Sequence, residues 1–229
     1  FSAYSHKRRR LGPMAVLHPL RAAALMTRAQ EEASLVSLLT VLFHDILEDV
    51  QSVDFSAQEW KDMEQRLFEL LAHLEPEEEL HLIRRLECLT RTKSESYYRY
   101  IGRMLDCSSV FSDVVDVKLA DRLDNTLDMR VDLEDPLVGI DCFLSLFQLL
   151  FVRDDPGYTP ASEHQPSTPM NGSRRLYQLF KNAVLLSLIR QPTVSPGGPA
   201  RLTLFNAVAE ASLREAQRTL MHLIGYHFR

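Results

Sequence analysis

The chain has 229 residues, of which 45% are apolar and 25% charged, and its formal net charge is −5. This composition is typical of a globular protein with a sizeable core, and it gives no reason to expect a nucleic-acid polymer or an anionic membrane as partner. Three cysteines without paired spacing argue against a disulfide framework, and no apolar run reaches the ~18 residues of a membrane span, so we expect a cytoplasmic protein.

Apolar residues recur at three- and four-residue steps along almost the whole chain, and no alternation of period two lasts more than a few residues. This pattern predicts an all-α protein. Ser56 with Glu59 three residues later is typical of a capping box, and Pro76 suits a first helical position. The predicted helices span 18–29, 31–49, 56–74, 76–90, 94–106, 108–129, 135–152, 174–190 and 202–227.

Residues 154–173 interrupt the helical pattern, because they are rich in Pro, Ser, Thr and Gly and have few apolar side chains. We interpret them as a linker or loop. The chain then divides into a helical body, 1–153, and a two-helix C-terminal extension, 174–229. The extension either completes the core of the body or forms a homodimer interface, and a lid or substrate-selecting role stays open.

The stretch VLFHDILEDV, residues 41–50, joins an apolar run to an imidazole and three carboxylates. His44 and Asp45 are ligand types that a divalent transition metal prefers. In a continuous helix they would lie on stripes ~100° apart, both within reach of an ion beside the helix. Glu48 and Asp49 would follow about one turn later, where a side chain can act on a water next to such an ion.

Two further candidate ligands stand in similar settings. His18, in VLHPLRAAALM, precedes a proline at a predicted helix start, and Asp121, in VVDVKLADRLDNTLDM, follows an apolar stretch. Together with His44 and Asp45 they predict a site of two imidazoles and two carboxylates. Residue type alone admits manganese, iron, zinc or nickel.

The spacing of these residues resembles the metal signature of the HD phosphohydrolase superfamily. FHDILEDV is similar to the HDxxED segment of the RelA/SpoT-type hydrolase domains and small alarmone hydrolases, and VKLADRLDN to their IKLADRLHN segment. RRRLGPMAVLHP resembles their entry segment more distantly, and LTRTKSESYYRYIGRM resembles the stretch between the two acidic motifs. The likeness covers about residues 3–130.

The resemblance implies an HD-domain helical bundle with four metal ligands, His18, His44, Asp45 and Asp121, and with Mn²⁺ as the ion. It implies that Glu48 and Asp49 handle the attacking water and that the reaction removes the 3′-pyrophosphate of ppGpp or pppGpp. It also implies a set of substrate-binding residues, with Asn125 near the ribose or a phosphate and two arginines against the purine. That set is Arg9, Arg10, Asn125 and Arg103.

Four positions depart from the family pattern. The tyrosine before the histidine is replaced by Ala15, the serine before the glycine by Leu11, and the acidic residue after the glycine by Pro13. The histidine of the LHN segment is Asp124. We expect these changes to affect the base and sugar pocket more than the metal.

Three alternatives therefore stay open. The protein is an HD phosphohydrolase for another nucleotide or phosphorylated dinucleotide, or a non-catalytic module that senses an alarmone, or an interaction protein whose C-terminal helices dominate its role. A protein that has lost its enzymatic activity in evolution tends to lose its metal ligands or its acid–base residues. The presence of both sets here favours an enzyme.

Overall fold

The structure, a computed structural model, describes residues 2–4, 15–30, 32–129, 172–191, 194 and 197–227, with the backbone alone at 2, 172–174 and 221–227. Over these residues every regular element is a helix and no strand occurs, so the all-α prediction is confirmed. The α-helices are α1 (Leu17–Ala29), α2 (Leu35–Phe43), α3 (Ile46–Asp49), α4 (Ala57–Leu71), α5 (Pro76–Leu89), α6 (Tyr97–Cys107), α7 (Asp113–Asp128), α8 (Gly172–Ile189) and α9 (Pro199–His227). The predicted helix 135–152 lies outside the described residues, as does the predicted linker 154–173 except for its last two residues, which open α8.

Side-chain caps set the starts of several helices. Ser56 and Glu59 form the predicted capping box of α4, and Pro76 opens α5 behind a second box. The Ser96 hydroxyl accepts a hydrogen bond from the backbone N–H of Arg99, and α6 therefore begins after residue 96 and not at the predicted 94.

The predicted helix 31–49 is wrong as a single element. The Ser34 hydroxyl caps α2, which ends at Phe43, and a short α3 begins only at Ile46. Asp45 adopts φ −101° and ψ 0°, outside the range of a regular helix, and breaks the run between the two. Because α2 ends before His44 and Asp45, the ~100° relation of a continuous helix does not set the positions of their side chains.

Helix α7 packs against α1, α2, α5, α6, α8 and α9. Most of its side chains are buried, including the charged side chains of Asp116, Asp121 and Arg122. Buried charges need partners, and α7 obtains them from its neighbours: Asp116 accepts from Arg201 of α9 at 3.0 Å.

The C-terminal helices share one core with the preceding helices. Leu185 of α8 and Leu204 and Val208 of α9 belong to the same buried cluster as Met26 of α1 and Val117 of α7. This continuity places α8 beside α7, close to the candidate site.

Candidate metal centre

Three parts of the fold converge on one buried point. His18 is the second residue of α1, Asp121 lies in the middle of α7, and His44 and Asp45 form the break between α2 and α3. The packing of α1 against α7 and of α2 against both brings them together. His18 is 6% exposed, His44 2% and Asp121 3%.

The four side chains offer one donor atom each within 4.8 Å of one another. His18 Nε2 lies 3.1 Å from Asp121 Oδ1 and 3.3 Å from Asp45 Oδ2. His44 Nε2 lies 3.2 Å from Asp45 Oδ2, 3.7 Å from Asp121 Oδ1 and 3.2 Å from His18 Nε2. This is the group that the sequence predicted, and it could hold a metal ion.

The other nitrogen of each imidazole is occupied by an acceptor. His44 Nδ1 donates to the carbonyl oxygen of Val41 at 2.7 Å, and His18 Nδ1 donates to Asp124 Oδ2 at 2.6 Å. In each neutral ring the Nε2 lone pair therefore faces the group. Such outer hydrogen bonds fix the tautomer and orientation of metal-binding histidines, and the donor set fits a divalent transition-metal ion.

A second layer of charged residues surrounds the four. Arg21 Nε donates to Asp124 Oδ1 at 2.6 Å, and Arg21 Nη2 donates to Asp128 Oδ1 at 2.6 Å. The ammonium of Lys118 lies 2.8 Å from Asp121 Oδ2. These contacts hold His18 and Asp121 in place from the side opposite the group.

The charges of the group act strongly on each other. Burial opposes a charged imidazole, yet the hydrogen bonds of His18 to Asp121, Asp124 and Asp45 raise its pKa from 6.5 to about 9. For His44, burial is again outweighed by the carboxylates of Asp45 and Asp121, and its pKa rises to about 10. The pKa of Asp45 and that of Asp121 are lowered in spite of burial, by His44 and His18 for Asp45 and foremost by Lys118 for Asp121. Both carboxylates are thus ionised, as metal ligands must be.

Glu48 and Asp49 lie on α3, exposed and directly after the group. Their backbone N–H groups donate to the carbonyl oxygen of Asp45, and Glu48 Oε1 accepts from the backbone N–H of Arg91. Burial, with the nearby charges of Asp49 and Asp45, raises the pKa of Tyr4 well above its ordinary value. The acidic pair therefore forms the solvent side of the site, with Tyr4 beside it.

The predicted substrate-binding residues have different settings. Asn125 donates to the carbonyl oxygen of Asp121 at 3.0 Å and also to its carboxylate, so it touches a candidate metal ligand. Arg103 pairs with Glu95 at 3.0 Å and donates to the carbonyl of Thr90 at the end of α5, which are local structural contacts. The positions of Arg9 and Arg10 lie outside the described residues.

Asp124, one of the four departures from the family pattern, lies directly beside the candidate metal group. Its carboxylate is the hydrogen-bond partner of His18, 106 residues away along the chain. The sequence offered a signal in the acids at 121, 124 and 128, which recur at helical spacing along one helix. The missed partners Arg21 and Lys118 lie one turn from His18 and Asp121 respectively.

Comparison with known proteins leaves the family open. No protein-family model, no curated protein and no solved structure matches the chain. Within the described residues, no helix has both the length and the apolar character needed to cross a membrane.

Proposed function

We propose that the protein is a metal-dependent phosphohydrolase that removes pyrophosphate or phosphate from a nucleotide. The single observation that carries the proposal is the group of His18, His44, Asp45 and Asp121, in which all but the half-buried Asp45 are buried and each imidazole is oriented by a hydrogen bond at Nδ1. A structural ion pair needs neither four donors facing one point nor a fixed tautomer for each ring.

Mn²⁺ is the ion that the sequence resemblance implies. When bound, a divalent cation supplies positive charge that offsets phosphate charge and lowers the pKa of a water that it holds. His18 and His44 would contribute Nε2, and Asp45 and Asp121 would contribute carboxylate oxygens.

Glu48 and Asp49 are the candidate acid–base residues, because they are exposed and follow Asp45 within one turn. In hydrolysis, a water oxygen bonds to phosphorus, the bond from phosphorus to the ribose oxygen breaks, and that oxygen takes up a proton. A carboxylate beside the water accepts the proton that the water loses. The hydrogen bond from the backbone N–H of Arg91 to Glu48 Oε1 holds the Glu48 carboxylate in position.

The first substrate to test is ppGpp or pppGpp, whose 3′-pyrophosphate is the leaving portion that the sequence resemblance implies. Release of pyrophosphate should be followed with Mn²⁺, for the wild type and for Asp45→Asn and Glu48→Gln. We expect pyrophosphate from the wild type alone. Mn²⁺ binding without turnover of any nucleotide would contradict the enzyme function and favour a sensing module.

A different nucleotide is the second candidate, and Asp124 favours it. The IKLADRLHN segment of the family has a histidine at this position, whereas here a carboxylate accepts hydrogen bonds from His18 and Arg21. A panel of nucleotides that differ in base and in phosphate position distinguishes ppGpp from other substrates. Hydrolysis of an adenine nucleotide or a dinucleotide, with ppGpp left intact, would identify a different nucleotide as the substrate.

A further inference from the structure

A lysine of the C-terminal extension lies on the helix that is tied to α7 at Arg122, the residue after the candidate ligand Asp121. The ammonium of Lys181, on α8, stands 5.2 Å from the ring centre of Tyr177 and 5.8 Å from that of Tyr97. The two rings belong to α8 and α6, so the lysine lies between these helices. Aromatic faces attract a cation but do not neutralise its charge.

The position of Lys181 is fixed by hydrogen bonds on either side of it. Arg122 Nε donates to Asn182 Oδ1 at 2.7 Å, and Arg122 Nη2 donates to Gln178 Oε1 at 2.9 Å. Arg122 directly follows the candidate ligand Asp121 on α7. Helix α8 is therefore tied to α7 at the turn that carries a ligand.

The surroundings of Lys181 carry excess positive charge. Burial lowers the pKa of its ammonium to about 8, and the cations of Arg122, Lys118 and Arg91 act in the same direction, against the opposing charge of Asp121. Among the described residues, no carboxylate lies within ion-pair distance of Lys181. Of its cationic neighbours, Lys118 is paired with Asp121, whereas Arg122 bonds to neutral amide groups.

Lys181 is partly buried and has no carboxylate partner among the described residues, and such a cation is costly to keep. An anion bound next to the Lys181 ammonium would offset this cost. An ammonium is a common phosphate-binding group in proteins. A nucleotide whose scissile phosphate lies at the metal centre carries further phosphate charge to be neutralised.

We propose that Lys181 binds a phosphate group of the substrate beside the His18, His44, Asp45 and Asp121 group. The nucleotide as ligand rests on the proposed function, whereas the phosphate site itself rests on the contacts of Lys181. The C-terminal extension thereby contributes a residue to the site.

The test is the binding of inorganic phosphate to the full chain loaded with Mn²⁺, measured by calorimetry. Lys181→Met keeps the length of the side chain and removes the charge, Lys181→Arg keeps the charge, and Lys61→Met changes an exposed lysine of α4. We expect Lys181→Met to weaken phosphate binding about tenfold or more, as loss of a charged hydrogen bond does. Lys181→Arg should bind within a few-fold of the wild type, and Lys61→Met should be unchanged.

Thermal unfolding and Mn²⁺ binding serve as controls for the fold. Lys181→Met should unfold at the same or a higher temperature, because it removes a partly buried charge, and it should bind Mn²⁺ as the wild type does. Equal phosphate affinity in Lys181→Met and the wild type, or no phosphate binding by the wild type, would overturn the proposal. If phosphate binding depends on Lys181 but no nucleotide is hydrolysed, the phosphate site stands and the proposed function fails.

Discussion

At the scale of single residues, the hydrogen bond from His18 to Asp124 joins the candidate ligands to the surrounding fold. The carboxylate orients the imidazole, and Arg21 in turn orients the carboxylate through two hydrogen bonds. A ligand held in this way loses little freedom on binding an ion.

Asp124→Asn should lower Mn²⁺ affinity by about 10- to 100-fold, because the amide is a weaker acceptor for His18 Nδ1–H and removes one of the two carboxylates that Arg21 contacts. Titration with Mn²⁺ measures the change. Asp106→Asn, at an exposed position of α6, is the matched control and should bind as the wild type does. Unchanged affinity in Asp124→Asn would show that the outer carboxylate has no part in the centre.

Glu48→Gln should leave Mn²⁺ affinity unchanged and slow hydrolysis by about 10²- to 10⁴-fold, because it removes a proton acceptor but no ligand. Release of pyrophosphate at saturating substrate is the measurement, with Glu87→Gln as an exposed control on α5. A variant as fast as the wild type would remove Glu48 from the acid–base pair.

At the scale of elements, the sequence predicted helices well where local chemistry decides them. Ser56, Glu59 and Pro76 mark helix starts by themselves. The break at His44 and Asp45 could not be predicted, because neither residue is a helix breaker and the break depends on contacts with α1 and α7. The partner of His18 was missed for a similar reason, since only the packing of α1 on α7 brings Asp124 to His18.

The junction between α7 and α8 gives a prediction for stability. Asn182 is fully buried, accepts from Arg122, and donates to Thr126 and Ser212. Asn182→Leu should lower the free energy of unfolding by about 1–3 kcal/mol, because it leaves the Nε–H of the buried Arg122 side chain without its acceptor.

Denaturation by urea measures this change, and Asn206→Leu on the exposed side of α9 serves as its control. A loss in Asn182→Leu no larger than that in the control would mean that α8 is held to α7 by apolar packing alone.

At the scale of the whole molecule, the candidate ligands come from α1, the α2–α3 break and α7, so an ion bound there would cross-link distant parts of the chain. An ion at 100 times its dissociation constant stabilises the folded state by about 2.7 kcal/mol. Stability should therefore report metal binding directly.

This stabilisation should depend on pH. Without metal, the pKa values of about 9 for His18 and about 10 for His44 lie above the unfolded value of 6.5. Their contribution to stability is complete below pH 6.5 and is lost as the pH rises through these values. An ion must displace those protons, so its competition with them eases as the pH rises.

Mn²⁺ should thus raise the unfolding temperature more near pH 8 than near pH 6, as calorimetric scans with and without the ion will show. A shift that is equal at both pH values, or larger at the lower one, would mean that the histidines do not exchange protons for the ion.

The most direct test of the central claim is the stoichiometry of Mn²⁺ binding, measured by electron paramagnetic resonance on the wild type and on His44→Gln. His44 is the matched choice because its ring is buried and its Nε2 faces the other three donors. One ion per wild-type chain, and a site lost or severely weakened in a folded His44→Gln variant, is the predicted result. An equal, tightly bound ion in both proteins, or none in the wild type, would contradict the assignment of the metal centre.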